Sequence, residues 1–199
     1  MIMKKVFLLG DSIRLDYCDF VKDMLKDEAE VCYSPDNGRF TDYTYVSLPG
    51  WKTLAGDPNE VSVVHWNNGH WDCAHWDHAE EPLYTVEEYA RRLRRVYDRI
   101  RRCFPNARVI FATTTGVCEA RVSEMANPRS TAEIAEYNRA AKAVMAELNV
   151  PVNDLAAVAA RFPDTYFRDG LVHYGEEGSR LLAQAVADRI REMLSSEVL

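Results

Sequence analysis

The feature that most constrains this chain is a regular alternation of two hydrophobic periods. Short apolar runs of strand length, each closed by turn-forming residues, take turns with longer stretches whose apolar residues recur at helical spacing. Lys4 to Leu9 is the first such run, ended by Gly10. Tyr17, Phe20, Val21, Met24 and Leu25 then keep helical period. Glu30 to Tyr33 reads as a second strand, ended by Ser34-Pro35-Asp36-Asn37-Gly38. Val61 to Trp66 reads as a third, ended by Asn67-Asn68-Gly69. Thr85 and Glu88 form a capping-box pattern that opens a helix through about Cys103. Arg108 to Thr113 is the fourth strand, Thr131 to Leu148 a helix, Val150 to Val152 a short fifth strand, and Glu176 to Leu194 the closing helix. Phe40 to Glu60 and Trp71 to Leu83 read as long irregular stretches. Alternation with short connections and no shift in composition predicts one α/β domain over residues 1–199 with a parallel sheet.

Composition narrows the functional classes. The chain has 199 residues, with 24 Lys plus Arg against 31 Asp plus Glu and a net charge of -7. That length buries a core without staples, and the acidic balance argues against a general nucleic-acid binder, which needs basic surface to displace counterions. The arginines of the 85–103 helix read as a solvated face. No apolar run approaches the ~20 residues of a membrane span. Val6 to Leu9 is far shorter than the ~7–15 apolar residues of a secretory leader. The five cysteines (Cys18, Cys32, Cys73, Cys103, Cys118) are odd in number and form no CxxC pair, the usage of reduced thiols in a cytoplasmic protein.

In open α/β sheets ligands bind outside the carboxyl ends of the strands, so the residues that follow the strands are the ones to weigh. Ser12 follows the first strand and opens a helix, where free backbone N–H groups and the helix dipole suit a nucleophile whose attack creates an oxyanion. A serine there also serves as a plain cap. Gly38 follows the second strand and Asn67-Asn68 the third; each could offer an N–H to the same spot, and each is also ordinary turn chemistry. Asp169 and His173 stand just before the last helix. Imidazole is the usual general base for a serine hydroxyl, and a nearby carboxylate fixes its tautomer.

Gly10-Asp11-Ser12-Ile13, with the blocks that follow it, resembles the SGNH hydrolase superfamily, also called the GDSL esterases and lipases. The resemblance implies a flavodoxin-like three-layer α/β/α sandwich with a mostly parallel five-stranded sheet. It implies Ser12 as nucleophile, His173 as base and Asp169 as orienting acid, although Asp169 stands four residues before His173 where the family has three. The implied oxyanion hole is Ser12, Gly38 and Asn68, with Asn67 as the alternative, because Trp66-Asn67-Asn68-Gly69 departs from the family's Gly-x-Asn-Asp. Asp11, Arg14, Asn67 and Trp71 are further candidates for substrate contact. The implied activity is hydrolysis of short acyl esters, acetyl among them, of a sugar or other small alcohol, with no cofactor, no metal and no nucleic-acid or membrane partner. Two rivals stay open. One is a carbohydrate-binding protein that keeps the fold and has lost catalysis. The other is a metal-dependent hydrolase built on His65, His70, His75 and His78 with Asp72, Cys73 and Asp77, whose spacing lacks the His-x-x-x-His pair of a helical zinc site.

Overall fold

The computed structural model of the chain describes residues 3–168 and 171–196. Five strands, β1 (Lys4–Leu9), β2 (Ala29–Tyr33), β3 (Val61–Trp66), β4 (Arg108–Ala112) and β5 (Val152–Asn153), form one sheet in the order β2-β1-β3-β4-β5. Every neighbouring pair is parallel. This is the flavodoxin-like order, and its topological switch point lies between β1 and β3. The three-layer α/β/α sandwich expected from the sequence is therefore observed.

The side chains of β1 show why the sheet is covered on both faces. Val6 and Leu8 pack with Ile13, Tyr17 and Val21 of α1 (Ser12–Met24) and with Leu182, Val186 and Ile190 of α6 (Glu176–Ser195). Phe7 and Leu9 point the other way, to Leu93 and Ile100 of α3 (Val86–Cys103) and to Ile134 and Ala141 of α4 (Thr131–Glu147). The period of two along one strand thus feeds two separate cores. Both α3 and α4 open with a full capping box, Thr85 with Glu88 and Ser130 with Glu133, each contributing about 1 kcal/mol.

Three elements differ from the sequence reading. The stretch read as irregular from Phe40 holds α2 (Thr41–Trp51). Its aromatic and β-branched residues are poor helix formers, it contains Pro49, and Phe40 gives it no side-chain cap, so no local signal announced it. A short helix α5 (Leu155–Ala159), capped by Asp154, follows the last strand. That strand is Val152–Asn153, two residues beyond where its apolar run begins, because Val150 turns its N–H back onto the Met145 carbonyl at 2.8 Å. All five cysteines are free. Among the described residues no helix is long and apolar enough to cross a membrane.

Candidate active site

The register of β1 against β3 builds the floor of the site. The two strands pair up to Leu9 and Trp66, and the Asn67 N–H then donates to the Leu9 carbonyl at 3.1 Å. The next residues, Gly10-Asp11-Ser12 on one chain segment and Asn67-Asn68 on the other, therefore stand side by side at the rim. Asp11 caps α1, its Oδ1 accepting from the Ile13 N–H at 3.0 Å and from Asn67 Nδ2 at 2.9 Å. Gly10 leaves room for this: a Cβ there would lie 1.8 Å from Asn67 Oδ1. Ser12 is the first residue of α1, half-buried, beside the exposed ends of the helix's first N–H groups.

Consecutive residues leaving a strand point to opposite sides, and this separates the two asparagines. Asn67 turns to Asp11; one of its two amide protons is engaged there and the other is not engaged in any hydrogen bond among the described residues. Asn68 turns to the far side, beneath α2. Its amide donates to the Arg39 carbonyl and to Thr44 Oγ1, both at 3.0 Å, and its Oδ1 accepts from Trp66 Nε1 at 2.7 Å. The expected assignment of Asn68 as oxyanion donor is corrected on this ground, since it has no proton left to give. Gly38 is corrected likewise. Its single N–H donates to the Gly10 carbonyl at 2.9 Å, and its part is to let the loop after β2 lie against β1.

His173 is half-buried in the segment before α6. Burial raises the carboxyl pKa of Asp11 and of Asp16, and in both the nearby His173 works in the opposite direction. Asp11 precedes Ser12 by one residue and Asp16 follows it by four, one turn along the same helix face. Arg168 ties the His173 segment to α1, its N–H donating to the His173 carbonyl at 2.8 Å and its guanidinium to Asp16 at 2.9 Å. Asp169 lies outside the described residues. Leu171 adopts the left-handed conformation (φ 64°), an unfavourable one for leucine, two residues before His173.

The sequence model of the GDSL-like Lipase/Acylhydrolase family matches residues 38–181, more than half of the chain. The chain belongs to the GDSL-like lipase/acylhydrolase family. As a GDSL-family protein it is an ester hydrolase by descent, and solved structures share its fold over nearly its whole length. A lipase/acylhydrolase from Enterococcus faecalis is 22% identical, with a TM-score of 0.77 over 99% of this chain and 100% of that one. A carbohydrate acetylesterase family member from Sinorhizobium meliloti is 19% identical, with a TM-score of 0.76 over 98% and 100%. The acetyl xylan esterase AlAXEase is 16% identical, with a TM-score of 0.72 over 94% and 99%. No curated protein sequence matches the chain.

Other candidates are distributed differently from the sequence expectation. Asp11 is fully buried as the α1 cap, which removes it from substrate contact. Arg14 is 1% exposed, so it too is corrected. Its guanidinium donates to the Ser34 carbonyl at 2.7 Å and the Asp36 carbonyl at 2.6 Å, clamping the loop after β2. Trp71 is half-buried and packs its ring 5.0 Å from that of Trp76. The histidines expected of a metal site scatter. His65 is in the core of β3 against Asn153, His70 contacts Thr115, and His75 bridges the Ala79 carbonyl and Glu133. Among the described residues no three His, Cys, Asp or Glu side chains are placed to hold a metal ion.

Residues that sequence reasoning passed over, or weighed only as metal ligands, complete the surroundings. Asp72, fully buried, accepts from both the N–H and the hydroxyl of Thr41 at 3.0 and 2.6 Å and so fixes the start of α2 beside the rim. Arg129, from the loop before α4, lines a cleft of about 330 Å³ together with Met125, Asn127, Leu171 and His173. Asp16 had one signal, its helical spacing from Ser12; Arg129 had none.

Proposed function

We propose that this GDSL-family chain is a serine esterase that removes short acyl groups, acetyl among them, from a sugar or other small alcohol. The observation that carries the reading is the tie between the His173 segment and the helix of Ser12: Arg168 donates its N–H to the His173 carbonyl at 2.8 Å and its guanidinium to Asp16, one turn after Ser12, at 2.9 Å. Family membership supports ester hydrolysis, and the acetylesterases among its structural likenesses support a short acyl group and a carbohydrate alcohol. A cleft of about 330 Å³ beside His173 suits a small substrate.

In this mechanism Ser12 Oγ attacks the ester carbonyl while His173 takes its proton. The developing oxyanion is met by the Ser12 N–H at the α1 terminus and by the unengaged amide proton of Asn67, each such donor being worth about 3 kcal/mol of barrier. Collapse of the tetrahedral intermediate expels the alcohol, protonated by His173. Water, deprotonated by the same imidazole, then attacks the acyl-serine and releases the acid. Asp169 is the carboxylate assigned to orient His173.

The test is a series of p-nitrophenyl esters of increasing chain length, with acetylated sugars, on the wild type, Ser12→Ala and His173→Ala. The expected result is highest kcat/KM for acetate, a loss of at least about a thousandfold in either variant, and covalent labelling of Ser12 by a fluorophosphonate probe. Hydrolysis that survives both substitutions overturns the assignment. Absence of labelling together with sugar binding that persists in Ser12→Ala would favour a binding protein instead.

A further inference from the structure

Most arginines in this chain lie on the surface, several of them against carboxylates, as Arg92 does with Asp42 and Arg191 with Glu28. Arg129 does not follow this pattern. It is largely withdrawn from water, enough for burial to pull its own pKa down. Yet no carboxylate of the described residues lies within ion-pairing distance of it. Its Nε donates to His70 Nδ1 at 3.4 Å and its Nη1 to the Asn127 carbonyl at 3.0 Å. Both partners are uncharged. The Asn127 group is a peptide carbonyl, and burial first, with Arg129 and His173 adding to it, holds the fully buried His70 far below its ordinary pKa. A guanidinium stripped of water calls for an anion or a full set of acceptors.

Arg14 shows what the second solution looks like here: fully enclosed, it points at three backbone carbonyls. Arg129 has one carbonyl and one ring nitrogen, its Nη2 has no hydrogen-bond partner among the described residues, and it opens on the cleft that also exposes His173. Through space it feels Cys73 first and then Asp11; burial raises the pKa of the Cys73 thiol, and Asp11 is committed to capping α1 and to Asn67. The chain as a whole is acidic, and Glu124, which also lines this cleft, is paired with Arg121 at 2.8 Å, so Arg129 is left there without an ion pair among the described residues.

We propose that Arg129 is an anion subsite, so that the preferred ester carries a carboxylate or phosphate a few bonds from the scissile carbonyl, bound by the free edge of the guanidinium fork. The inference rests on the esterase reading for its catalytic consequence, but not for the binding itself. The fork suits a planar carboxylate or a phosphate oxygen pair better than a neutral hydroxyl. The charge could sit on the acyl or the alcohol side, and the two arms of the test separate these.

Kinetics are compared for p-nitrophenyl acetate (neutral), 4-acetoxybenzoate (charge on the alcohol) and p-nitrophenyl hemisuccinate (charge on the acyl group), using wild type, Arg129→Gln and Arg129→Lys. Expected is a kcat/KM advantage of tenfold or more for one charged ester after correction for its intrinsic reactivity. That advantage should sit mainly in KM, be abolished in Arg129→Gln, and be partly kept in Arg129→Lys. Binding is read separately, by titrating 4-acetamidobenzoate and neutral 4-acetamidobenzamide into each protein and following tryptophan fluorescence. The carboxylate is expected to bind wild type at least tenfold more tightly, with the preference lost in Arg129→Gln while its melting temperature stays within a few degrees. Equal affinity for the two, or a preference that persists in Arg129→Gln, overturns the subsite. Arg129-dependent binding without hydrolysis of any ester upholds the subsite and overturns the esterase reading.

Discussion

Asn67 donates to Asp11 across the gap between the ends of β3 and β1, at 2.9 Å, through the same Asp11 oxygen that caps the helix of Ser12. One carboxylate oxygen thereby fixes the turn of Ser12, the proposed nucleophile, and the amide proposed to meet the oxyanion. Asn68, one residue on, has all its amide hydrogen bonds inside the protein. The two neighbours should respond to truncation in opposite ways. Asn67→Ala is expected to lower kcat by a hundredfold or more at modest cost in melting temperature. Asn68→Ala strands the Trp66 indole N–H and takes the donor from the Arg39 carbonyl, so stability is expected to fall by about 2 kcal/mol. Kinetics on p-nitrophenyl acetate and urea unfolding of both variants check this; a larger kcat loss at 68 than at 67 would reverse the assignment.

Arg14 provides a control for charge at the site. Its hydrogen bonds run to backbone carbonyls of Ser34, Asp36 and Gly10, so it holds the β2 loop against β1 and cannot reach a ligand. Arg14→Met keeps the apolar stem and removes the donors, leaving buried carbonyls unsatisfied. We expect a loss of about 2–4 kcal/mol in unfolding free energy. The ratio of charged to neutral ester turnover should be unchanged, in contrast to Arg129→Gln. A shift in that ratio without loss of stability would return Arg14 to the binding surface.

What was legible in the sequence follows from the range of each signal. β1, β3, the helix opened by Thr85 and Glu88 and the helix from Thr131 are written in adjacent residues, through apolar runs, one capping box and helical period, and the structure has them at those places. The roles of Asn67 and Asn68 are not local. They depend on which strand face each leaves from, set by the pairing of Leu9 with Trp66. Gly38 was read as a donor because a glycine can expose its N–H, but contact with Gly10, distant in sequence, engages that group. Arg14, a candidate for substrate contact by its place after Ser12, is enclosed only by the fold of the β2 loop. α2 lacked any local helix signal and owes its existence to packing and to Asp72, which receives Thr41 from another loop.

The Gly38 contact makes its own prediction. A Cβ at position 38 would lie 2.4 Å from the Gly10 carbonyl oxygen, a backbone atom with no room to move without disturbing Asp11 and Ser12. Gly38→Ala should therefore cost more than about 2 kcal/mol, since overpacking against backbone cannot be relieved by a side-chain rotation. Activity per folded molecule should fall as well, because the displaced segment carries Ser12, the proposed nucleophile. Gly50→Ala, with nothing near its Cβ, is the matched control and should leave both quantities close to wild type. Equal stabilities for the two variants would show that the loop yields easily.

The pH dependence of stability should carry the mark of Asp72. Burial drives its pKa up to about 7 against the opposing pull of the two Thr41 hydrogen bonds, whereas an unfolded aspartate titrates near 3.9. Below that unfolded value both states hold the proton and the folded protein has no penalty. Between about pH 4 and pH 7 the folded chain keeps a proton that the unfolded chain has released, so stability falls as pH rises and levels off above 7. The full amplitude from this group is about 4 kcal/mol. Asp72→Asn keeps an acceptor for Thr41 and cannot ionise. Urea unfolding at pH 4.5 and at pH 8 should show wild type losing several kcal/mol more than the variant over that interval. Asp11 and Asp16, raised by the same burial, titrate in both proteins; because Asp11 adds to the rise at Asp72, the difference between the two curves reports Asp72 together with its coupling to Asp11. Curves that run parallel from pH 4.5 to pH 8 would mean that the Asp72 carboxylate is ionised in the folded chain throughout.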